Sequence, residues 1–286
     1  MIGDILPSEV AVAEEFGDVL DVELFPAEEA VIANAVDKRR REFTTARACA
    51  RAALAKLGLP PVPILPGTRG APQWPAGVVG SITHCAGYRA SAVAFDAEMV
   101  TIGVDAEPHD KLPDGVLGVV ASDSERTKLT ALTALQPGVC WDRLLFSAKE
   151  SVYKAWFPLT HRWLGFEEAC VDFDPVGGSF TAWLLVDGPM VNGVRLAGFR
   201  GRWVVSDGLL ATAIAVTAAG TGANRGLSAA ARCSTAVIPQ SNRRGVARPI
   251  RCGYRFYRSA NPYVVISLAR LSVAEDSHEM RADIER

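Results

Sequence analysis

Residues 78–105 carry the sequence VVGSITHCAGYRASAVAFDAEMVTIGVD, in which β-rich runs are separated by short turns. The runs 78–83 and 90–95 flank a Cys-Ala-Gly-Tyr turn and predict a hairpin, and residues 100–105 predict a third strand. Further along the chain, more strands are predicted at residues 171–173, 180–186, 201–205 and 209–216. Since most connections are short and hairpin-like, we expect antiparallel sheets.

Two helices are predicted around these strands. In residues 30–57 apolar side chains recur at helical spacing, and Gly58 with the two prolines that follow it ends the helix. Residues 141–156 predict a second helix that ends before Pro158. The order helix, strands, helix, strands favours an α+β fold with antiparallel sheets over a doubly wound parallel sheet.

Composition excludes several classes of protein. The chain has 286 residues, 30 basic against 32 acidic side chains and 49% apolar residues, which rules out disorder throughout. We find no run of about 18 apolar residues and therefore expect no membrane span. The first 20 residues contain no basic side chain, which argues against a secretory signal. Six cysteines without a C-x-x-C pattern predict reduced thiols in a cytoplasmic protein.

The charge is distributed unevenly along the chain. Residues 218–286 contain 11 arginines, no lysine and 5 acidic residues, a net charge of +6 that leaves −8 for residues 1–217. All six tryptophans precede residue 204. We therefore predict that residues 218–286 form an arginine-rich, poorly folded extension.

Two acidic residues at the end of the third strand give the first chemical signal. Asp105 and Glu107 are two residues apart, so both side chains leave the same face of a strand. At about 4 Å and an effective dielectric constant near 20, two such charges repel by ~4 kcal/mol. A proton, a basic side chain or a divalent cation must offset this repulsion. The alternative is that both carboxylates are solvated where the strand ends.

The second signal is the segment FSAKESVYKA at residues 146–155. Glu150 and Lys154 are four residues apart and share one helix face. The alternative is a capping box formed by Ser147 and Glu150 with an ordinary surface ion pair to Lys154. Three acidic groups and a lysine together would suit a magnesium site that handles phosphates, because Mg²⁺ takes hard oxygen ligands and shares them with phosphate oxygens.

Basic residues and a histidine supply further candidates for anion binding. Arg40, Arg47 and Arg51 form one stripe on the first helix, which predicts either a solvated face or a polyphosphate site. His84 is expected where a strand enters a turn, either as a turn residue or as a hydrogen-bond donor to phosphate. A nucleophilic pair with Cys85 is disfavoured because neighbouring residues on a strand point to opposite faces.

Taken together, three motifs resemble those of a known family. They are Ser81-x-x-His84-x-x-Gly87-Tyr88, then Ile102-Gly-Val-Asp105-x-Glu107, then Phe146-Ser-x-Lys149-Glu150-x-x-Tyr153-Lys154-Ala155. In this order and spacing they resemble Sfp-type 4′-phosphopantetheinyl transferases. Residues 38–43, 141–146 and 156–160 suggest the actinobacterial branch that serves mycolate, polyketide and siderophore synthases. The resemblance covers residues 1–217.

The resemblance implies two similar α+β halves, residues 1–103 and 104–217, with coenzyme A in the cleft between them. It implies transfer of the phosphopantetheine arm from coenzyme A to a serine of an apo acyl or peptidyl carrier protein, with release of 3′,5′-ADP. A monomer without membrane association is expected.

The resemblance also implies roles for individual residues. Mg²⁺ would be held by Asp105, Glu107 and Glu150. The residues expected to contact coenzyme A are Arg39, Arg47, Arg69, Ser81, Thr83, His84, Lys149 and Lys154. Arg69 would replace a lysine that related sequences often carry where this chain has Pro66. Glu150, Lys154 and His84 are the catalytic candidates, and a water molecule is the alternative to Glu150 as proton acceptor.

Two other functions remain open at this point. The basic helix at residues 38–51 and the arginine-rich extension could bind nucleic acid, although the body is acidic and contains no recognisable nucleic-acid module. A metal-dependent phosphohydrolase could use the same carboxylates.

Overall fold

The computed structural model describes residues 1–219, which fold into antiparallel hairpins, two long helices and several shorter helices. The helices are α1 (Pro26–Val31), α2 (Asp37–Lys56), α3 (Leu117–Val120), α4 (Asp123–Leu135) and α5 (Trp141–Thr160). The strands are β1 (Ala11–Phe16), β2 (Val78–Cys85), β3 (Tyr88–Phe95), β4 (Met99–Pro108), β5 (Ala169–Asp174), β6 (Ser179–Leu184), β7 (Met190–Val191), β8 (Val194–Arg195), β9 (Gly198–Ser206) and β10 (Leu209–Thr217). Each predicted strand is present, and several are longer than predicted.

The strands form two main antiparallel sheets. One has the order β1-β3-β2 and the other the order β4-β10-β9-β6-β5, while β7 and β8 form a small separate ribbon. Every pairing between these strands is antiparallel. The predicted α+β class with antiparallel sheets is therefore confirmed.

Side-chain hydroxyl groups join the two sheets where β2 lies beside β4. Ser81 Oγ accepts a hydrogen bond from the Val104 amide at 3.1 Å, and Thr83 Oγ1 accepts one from the Ala106 amide at 2.9 Å. The backbone amides at this edge of the five-stranded sheet would otherwise need a strand partner. These bonds fix the position of β2, including His84, relative to Asp105 and Glu107.

The two long helices cover different sheets. Helix α2 packs on β1 and β3, whereas α5 packs on β4 and β10. Trp141, Phe146 and Trp156 of α5 are fully buried in the larger core. Gly103 of β4 lies under Ser151 and Ala155 of α5, where a side chain would not fit. Close packing at Gly103 brings the polar face of α5 onto the acidic end of β4.

The predicted helix 30–57 is wrong at its start. Helix α1 ends at Val31, α2 begins only at Asp37, and Val36 between them is 72% exposed. The cause is Glu28, a fully buried carboxylate that accepts hydrogen bonds from the Phe25 and Ile64 amides and from Arg51. These bonds fix α1 in place, so the apolar spacing continues across a break in the backbone.

The second predicted helix is too short. Helix α5 continues through Pro158 to Thr160, and His161 then ends it in the left-handed conformation with φ of 53°. Proline lacks the amide that would bond one turn back, and its ring crowds the carbonyl there, but burial of Trp156 and Phe157 stabilises the last turn. The indole of Trp156 also donates to the Arg162 carbonyl at 2.9 Å.

Some earlier expectations stay predictions. Strand β4 crosses the predicted boundary between residues 103 and 104, and the two-half division and its pseudo-symmetry are not established by this topology. The predicted extension lies outside the described residues from position 220 onward. None of the helices within residues 1–219 combines the length and apolar character that a membrane span requires.

Candidate active site

Asp105 and Lys154 form the centre of the site. Lys154 Nζ on α5 donates to Asp105 Oδ1 on β4 at 2.8 Å and to the Val104 carbonyl at 3.0 Å. Thr83 Oγ1 donates to the same carboxylate oxygen at 3.4 Å. Asp105 is only 5% exposed, and its second oxygen, Oδ2, is buried and has no hydrogen-bond partner among the described residues. A buried, unpartnered carboxylate oxygen is costly to maintain unless a ligand completes it.

Glu107 lies on the same face of β4 and has its own cation. Arg143 Nη1 in the first turn of α5 donates to Glu107 Oε2 at 3.1 Å, and both side chains are buried. Burial and the charge of Asp105 raise the pKa of Glu107 to about 8, although Arg143 acts in the opposite direction. The repulsion predicted from the two-residue spacing is therefore present in the fold.

Glu150 completes the acidic group from the neighbouring helix. Burial and the charge of Asp105 raise the pKa of Glu150 to about 7, with Lys154 opposing that shift. The capping-box alternative for Ser147 and Glu150 is wrong, because both residues lie in the middle of α5. Ser147 is fully buried, and its hydroxyl lies 3.0 Å from the Thr212 hydroxyl.

These residues fit a magnesium ion that a substrate helps to bind. Within residues 1–219 no three His, Cys, Asp or Glu side chains form a ready-made metal cage. Mg²⁺ seldom needs one, because it usually binds one or two carboxylates together with waters and substrate phosphates. Asp105 Oδ2 has no hydrogen-bond partner within residues 1–219, and the pKa values of Glu107 and Glu150 are raised. The three carboxylates outnumber the two cations bonded to them, Lys154 and Arg143, and a divalent cation would balance this excess.

His84 is held between two residues of α2. Its Nε2 lies 3.3 Å from Arg39 Nη1, and its Nδ1 lies 3.9 Å from Glu42 Oε2. Burial, followed by the charges of Arg39 and Lys154, lowers the pKa of His84 to about 3, so the ring is neutral. Since a guanidinium group can only donate, Nε2 is the acceptor and the ring proton is on Nδ1. The Cys85 thiol donates instead to the Ala86 carbonyl, and burial raises its pKa.

The three arginines of the predicted basic stripe on α2 form hydrogen bonds within the fold. Arg40 donates to Glu29 and to the Ile32 carbonyl, and Arg51 donates to Glu28. Arg47 is buried, donates to the Ile64 carbonyl at 2.6 Å and stacks over Phe43. Burial lowers the pKa of Arg47 to about 10. Internal partners for three of these arginines weaken the hypothesis of a nucleic-acid surface on this helix.

Besides Arg47, three more of the residues predicted to bind coenzyme A have structural partners. Ser81 and Thr83 join β2 to β4 as described, and Thr83 also reaches Asp105. Lys149 points away from Asp105, since its ammonium group donates to Glu125 and to the Val120 and Phe166 carbonyls at 2.8–2.9 Å. Three acceptors use all three protons of a lysine. The fold therefore does not bring Lys149 to the acidic group.

Arg69 lies in the loop after α2 and packs over Trp163, which follows the C-terminal end of α5. Its guanidinium carbon lies 5.3 Å from the Trp163 ring centroid, and that ring lies 5.0 Å from the ring of Tyr153. Arg69 adopts a φ of 56°, in the left-handed region that non-glycine residues seldom use. The Tyr153 hydroxyl is buried and has no hydrogen-bond partner in the described part of the chain. These contacts link Arg69, through Trp163, to Tyr153, which precedes Lys154 on α5.

Sequence reasoning missed two residues that contact the site. Arg143 binds Glu107, and Glu42 faces His84. A signal for each was present in the spacing. Arg143 precedes Glu150 by seven residues, two helical turns, and Glu42 follows Arg39 by three, so each shares a helix face with a predicted site residue.

Comparison with known proteins gives the same family as the sequence motifs. A family model described as the 4′-phosphopantetheinyl transferase N-terminal domain matches residues 27–94, and one described as the 4′-phosphopantetheinyl transferase superfamily matches residues 101–191. The chain is 58% identical over 225 residues to 4′-phosphopantetheinyl transferase Svp of Streptomyces mobaraensis, which covers 77% of this chain and 92% of that protein.

Two other actinobacterial relatives are covered almost completely. Identity is 53% over 224 residues to 4′-phosphopantetheinyl transferase Npt of Nocardia iowensis, or 75% of this chain and 99% of that protein. It is 47% over 222 residues to 4′-phosphopantetheinyl transferase PptT of Mycobacterium tuberculosis, or 75% and 97%. The chain therefore belongs to the 4′-phosphopantetheinyl transferase family, and the predicted resemblance is confirmed.

Proposed function

We propose that this protein transfers the 4′-phosphopantetheine arm of coenzyme A to a serine of apo acyl or peptidyl carrier proteins and releases 3′,5′-ADP. The observation that carries the proposal is the 58% identity across 92% of a transferase of this activity. The site geometry supports it, because an acidic group and a lysine suited to a cation and a diphosphate meet where β4 contacts α5.

In this proposal Asp105, Glu107 and Glu150 hold Mg²⁺. Asp105 Oδ2 is the best single candidate, because it is buried and no group in residues 1–219 forms a hydrogen bond with it. When bound, Mg²⁺ would supply positive charge against the diphosphate and a template for its oxygens. Near neutral pH it would also favour the ionised forms of Glu107 and Glu150, whose pKa values are raised.

Lys154 and Arg39 are the proposed phosphate contacts. Two of the three Lys154 protons are used by Asp105 and the Val104 carbonyl, which leaves the third for a phosphate oxygen. Arg39 is exposed and can present further donors to the nucleotide while its Nη1 remains on His84. His84 can then serve as a neutral support for Arg39. A direct phosphate contact at His84 Nε2 would require Arg39 to move away.

The transfer itself needs one bond formed and one broken at phosphorus. The serine hydroxyl oxygen of the carrier attacks the phosphorus that bears the pantetheine arm, and the bond from that phosphorus to the 3′,5′-ADP oxygen breaks. The serine proton passes to the carboxylate of Glu150 or to a water molecule that this carboxylate orients. Lys154 stabilises the charge that develops on the leaving phosphate.

A carrier assay tests the activity and separates it from the phosphohydrolase alternative. The protein is incubated with coenzyme A, Mg²⁺ and purified apo carrier proteins, and both products are analysed by mass spectrometry. The proposal predicts that the carrier gains a phosphopantetheine group and that 3′,5′-ADP appears in equal amount. Cleavage of coenzyme A without a carrier would instead identify a hydrolase and overturn the proposal.

Substitution of Asp105 tests the assignment of the metal site. Asp105→Ala should lower transfer by at least about 100-fold, a loss typical of removing one preorganised electrostatic group from an active site. The matched control is Asp172→Ala, since Asp172 on the far edge strand β5 pairs with Lys128. The control should retain near wild-type transfer. Near-normal turnover in Asp105→Ala would refute the assignment.

A further inference from the structure

Arg143 is buried at the junction between β4 and α5. It is 8% exposed, yet it carries a charge and five donor protons. Nη1 donates to Glu107 Oε2 at 3.1 Å, Nε donates to the Asp110 carbonyl at 3.1 Å, and Nη2 donates to the Lys111 carbonyl at 2.8 Å. Each nitrogen of the guanidinium group therefore has an acceptor in the segment where β4 ends.

These contacts hold one oxygen of Glu107 and leave the other available. The guanidinium group is planar and rigid, so carbonyl bonds on two nitrogens fix the direction of the third. Glu107 Oε2 is the oxygen that Arg143 holds. Glu107 Oε1 can then face the acidic group formed with Asp105.

Arg143 also balances charge within the acidic group. Lys154 is bonded to Asp105, and Arg143 is bonded to Glu107, so each carboxylate of β4 has a separate cation on α5. Arg143 lies two helical turns before Glu150 on that helix. One face of α5 therefore supplies a carboxylate to the site and a basic partner for each carboxylate of β4.

We propose that Arg143 is a positioning residue that holds Glu107 in the orientation required to bind the divalent cation. This inference rests on the proposed function, and it adds a role for a residue that touches neither the metal nor the substrate. Partners that orient metal ligands commonly contribute 10–100-fold to metal affinity. We expect Arg143→Gln to weaken metal binding by about tenfold or more.

A purely structural role for Arg143 makes a different prediction. Two other hydrogen bonds join the segment after β4 to the start of α5. The Leu112 amide donates to Asp142 Oδ2 at 2.9 Å, and the Cys140 amide donates to His109 Nε2 at 3.1 Å. If Arg143 served only to anchor the segment, loss of the Asp142 bond should weaken metal binding similarly. Asp142→Ala is therefore the matched control.

The experiment measures binding of Mn²⁺, a paramagnetic probe for the magnesium site, in the presence of saturating coenzyme A and without a carrier. Free Mn²⁺ is followed by electron paramagnetic resonance for the wild type, Arg143→Gln, Arg143→Lys and Asp142→Ala. We expect the dissociation constant to rise about tenfold in Arg143→Gln, less in Arg143→Lys, which keeps the charge but not the planar fork, and little in Asp142→Ala. Excess Mg²⁺ should restore kcat in Arg143→Gln.

Several results would overturn the inference. Unchanged Mn²⁺ affinity in folded Arg143→Gln, an equal loss in Asp142→Ala, or a loss of kcat that excess Mg²⁺ does not restore would each contradict it. If Arg143→Gln does not fold, Arg143→Lys carries the same test. A wild-type protein that binds Mn²⁺ and transfers the arm keeps the proposed function intact whatever the variants do. A wild type that does neither would overturn both.

Discussion

Gly103 lies where the two elements of the site are in closest contact, and Gly103→Ala should move them apart. A methyl group at this position would lie 2.7 Å from the Ala155 amide nitrogen and 3.0 Å from the Ala155 side chain. It would also lie well inside van der Waals contact with the Ser151 carbonyl. Because these are mainly backbone atoms of α5, no side-chain rotation can relieve the clash. Helix and strand must separate by several tenths of an ångström or more.

The expected cost follows from that displacement. Overpacking a core by one methyl group typically destabilises a protein by about 1–3 kcal/mol, and we expect the upper part of this range because the clash involves backbone. Asp105 follows Gly103 by two residues on β4, and Lys154 lies on the displaced helix, so their bond should lengthen. A shift of about 1 Å in a site that depends on positioning can lower turnover by about 100-fold.

Urea unfolding and steady-state transfer assays measure the two effects separately. Gly138→Ala is the matched control, because a methyl group there meets no atom of the described residues within 4 Å. It should leave both stability and turnover close to those of the wild type. If Gly103→Ala were as stable and as active as Gly138→Ala, the close packing of α5 on β4 would not position the site, and this reasoning would be wrong.

Three further predictions concern pH, stability and chain length. Burial raises the pKa of Glu150 from 4.5 in the unfolded chain to about 7, and that of Glu107 to about 8. The folded protein therefore binds these protons more tightly than the unfolded chain does. The stability that this proton binding contributes is complete below about pH 4.5 and is lost as pH rises through 7–8. For Glu150 the upper bound is roughly 3 kcal/mol, and thermal unfolding should show Mg²⁺ with coenzyme A restoring more stability at pH 8 than at pH 5. Glu125→Gln should lower the free energy of unfolding in urea by about 3–5 kcal/mol, because it leaves the buried Lys149 without its counter-ion. The KM for coenzyme A should not change. A changed KM with normal stability would refute this prediction. A chain ending at Ala219 should retain transfer, because alignments of about 225 residues of this chain already cover 92–99% of the related transferases. Loss of transfer in a folded truncated protein would show that residues 220–286 contribute to it.

The parts of the site that could be predicted from sequence depend on short spacings within one element. The two-residue interval between Asp105 and Glu107 places both on one face of a strand, and the four-residue interval between Glu150 and Lys154 places both on one face of a helix. These relations follow from backbone geometry alone. The structure adds that Lys154 bonds to Asp105, a contact between segments about 50 residues apart that no local pattern encodes.

A local pattern can also occur in two different settings. Ser122-x-x-Glu125 forms a true capping box at the start of α4, whereas Ser147-x-x-Glu150 lies in the middle of α5. The difference is the preceding chain, since an apolar helical run from Trp141 already precedes Ser147. Helix α4 was not predicted, although its capping signal was present.

Tertiary contacts explain the remaining errors. Lys149 is adjacent to Glu150 in sequence but leaves α5 on another face, where Glu125 holds it. Glu28 forms hydrogen bonds to residues up to 36 positions away, and those bonds fix α1 separately from α2. Both carboxylates are buried because they have several donors, which sequence spacing alone does not reveal.

In the proposed function, Asp105 and Glu107 on β4 and Glu150 on α5 bind one divalent cation, which also contacts the diphosphate of coenzyme A. The most direct test is a crystal structure with coenzyme A and Mn²⁺, in which anomalous scattering locates the metal. We expect one Mn²⁺ peak in contact with Asp105 Oδ2 and with the coenzyme diphosphate. A peak elsewhere on the protein, or bound coenzyme A with no metal at Asp105, would contradict it.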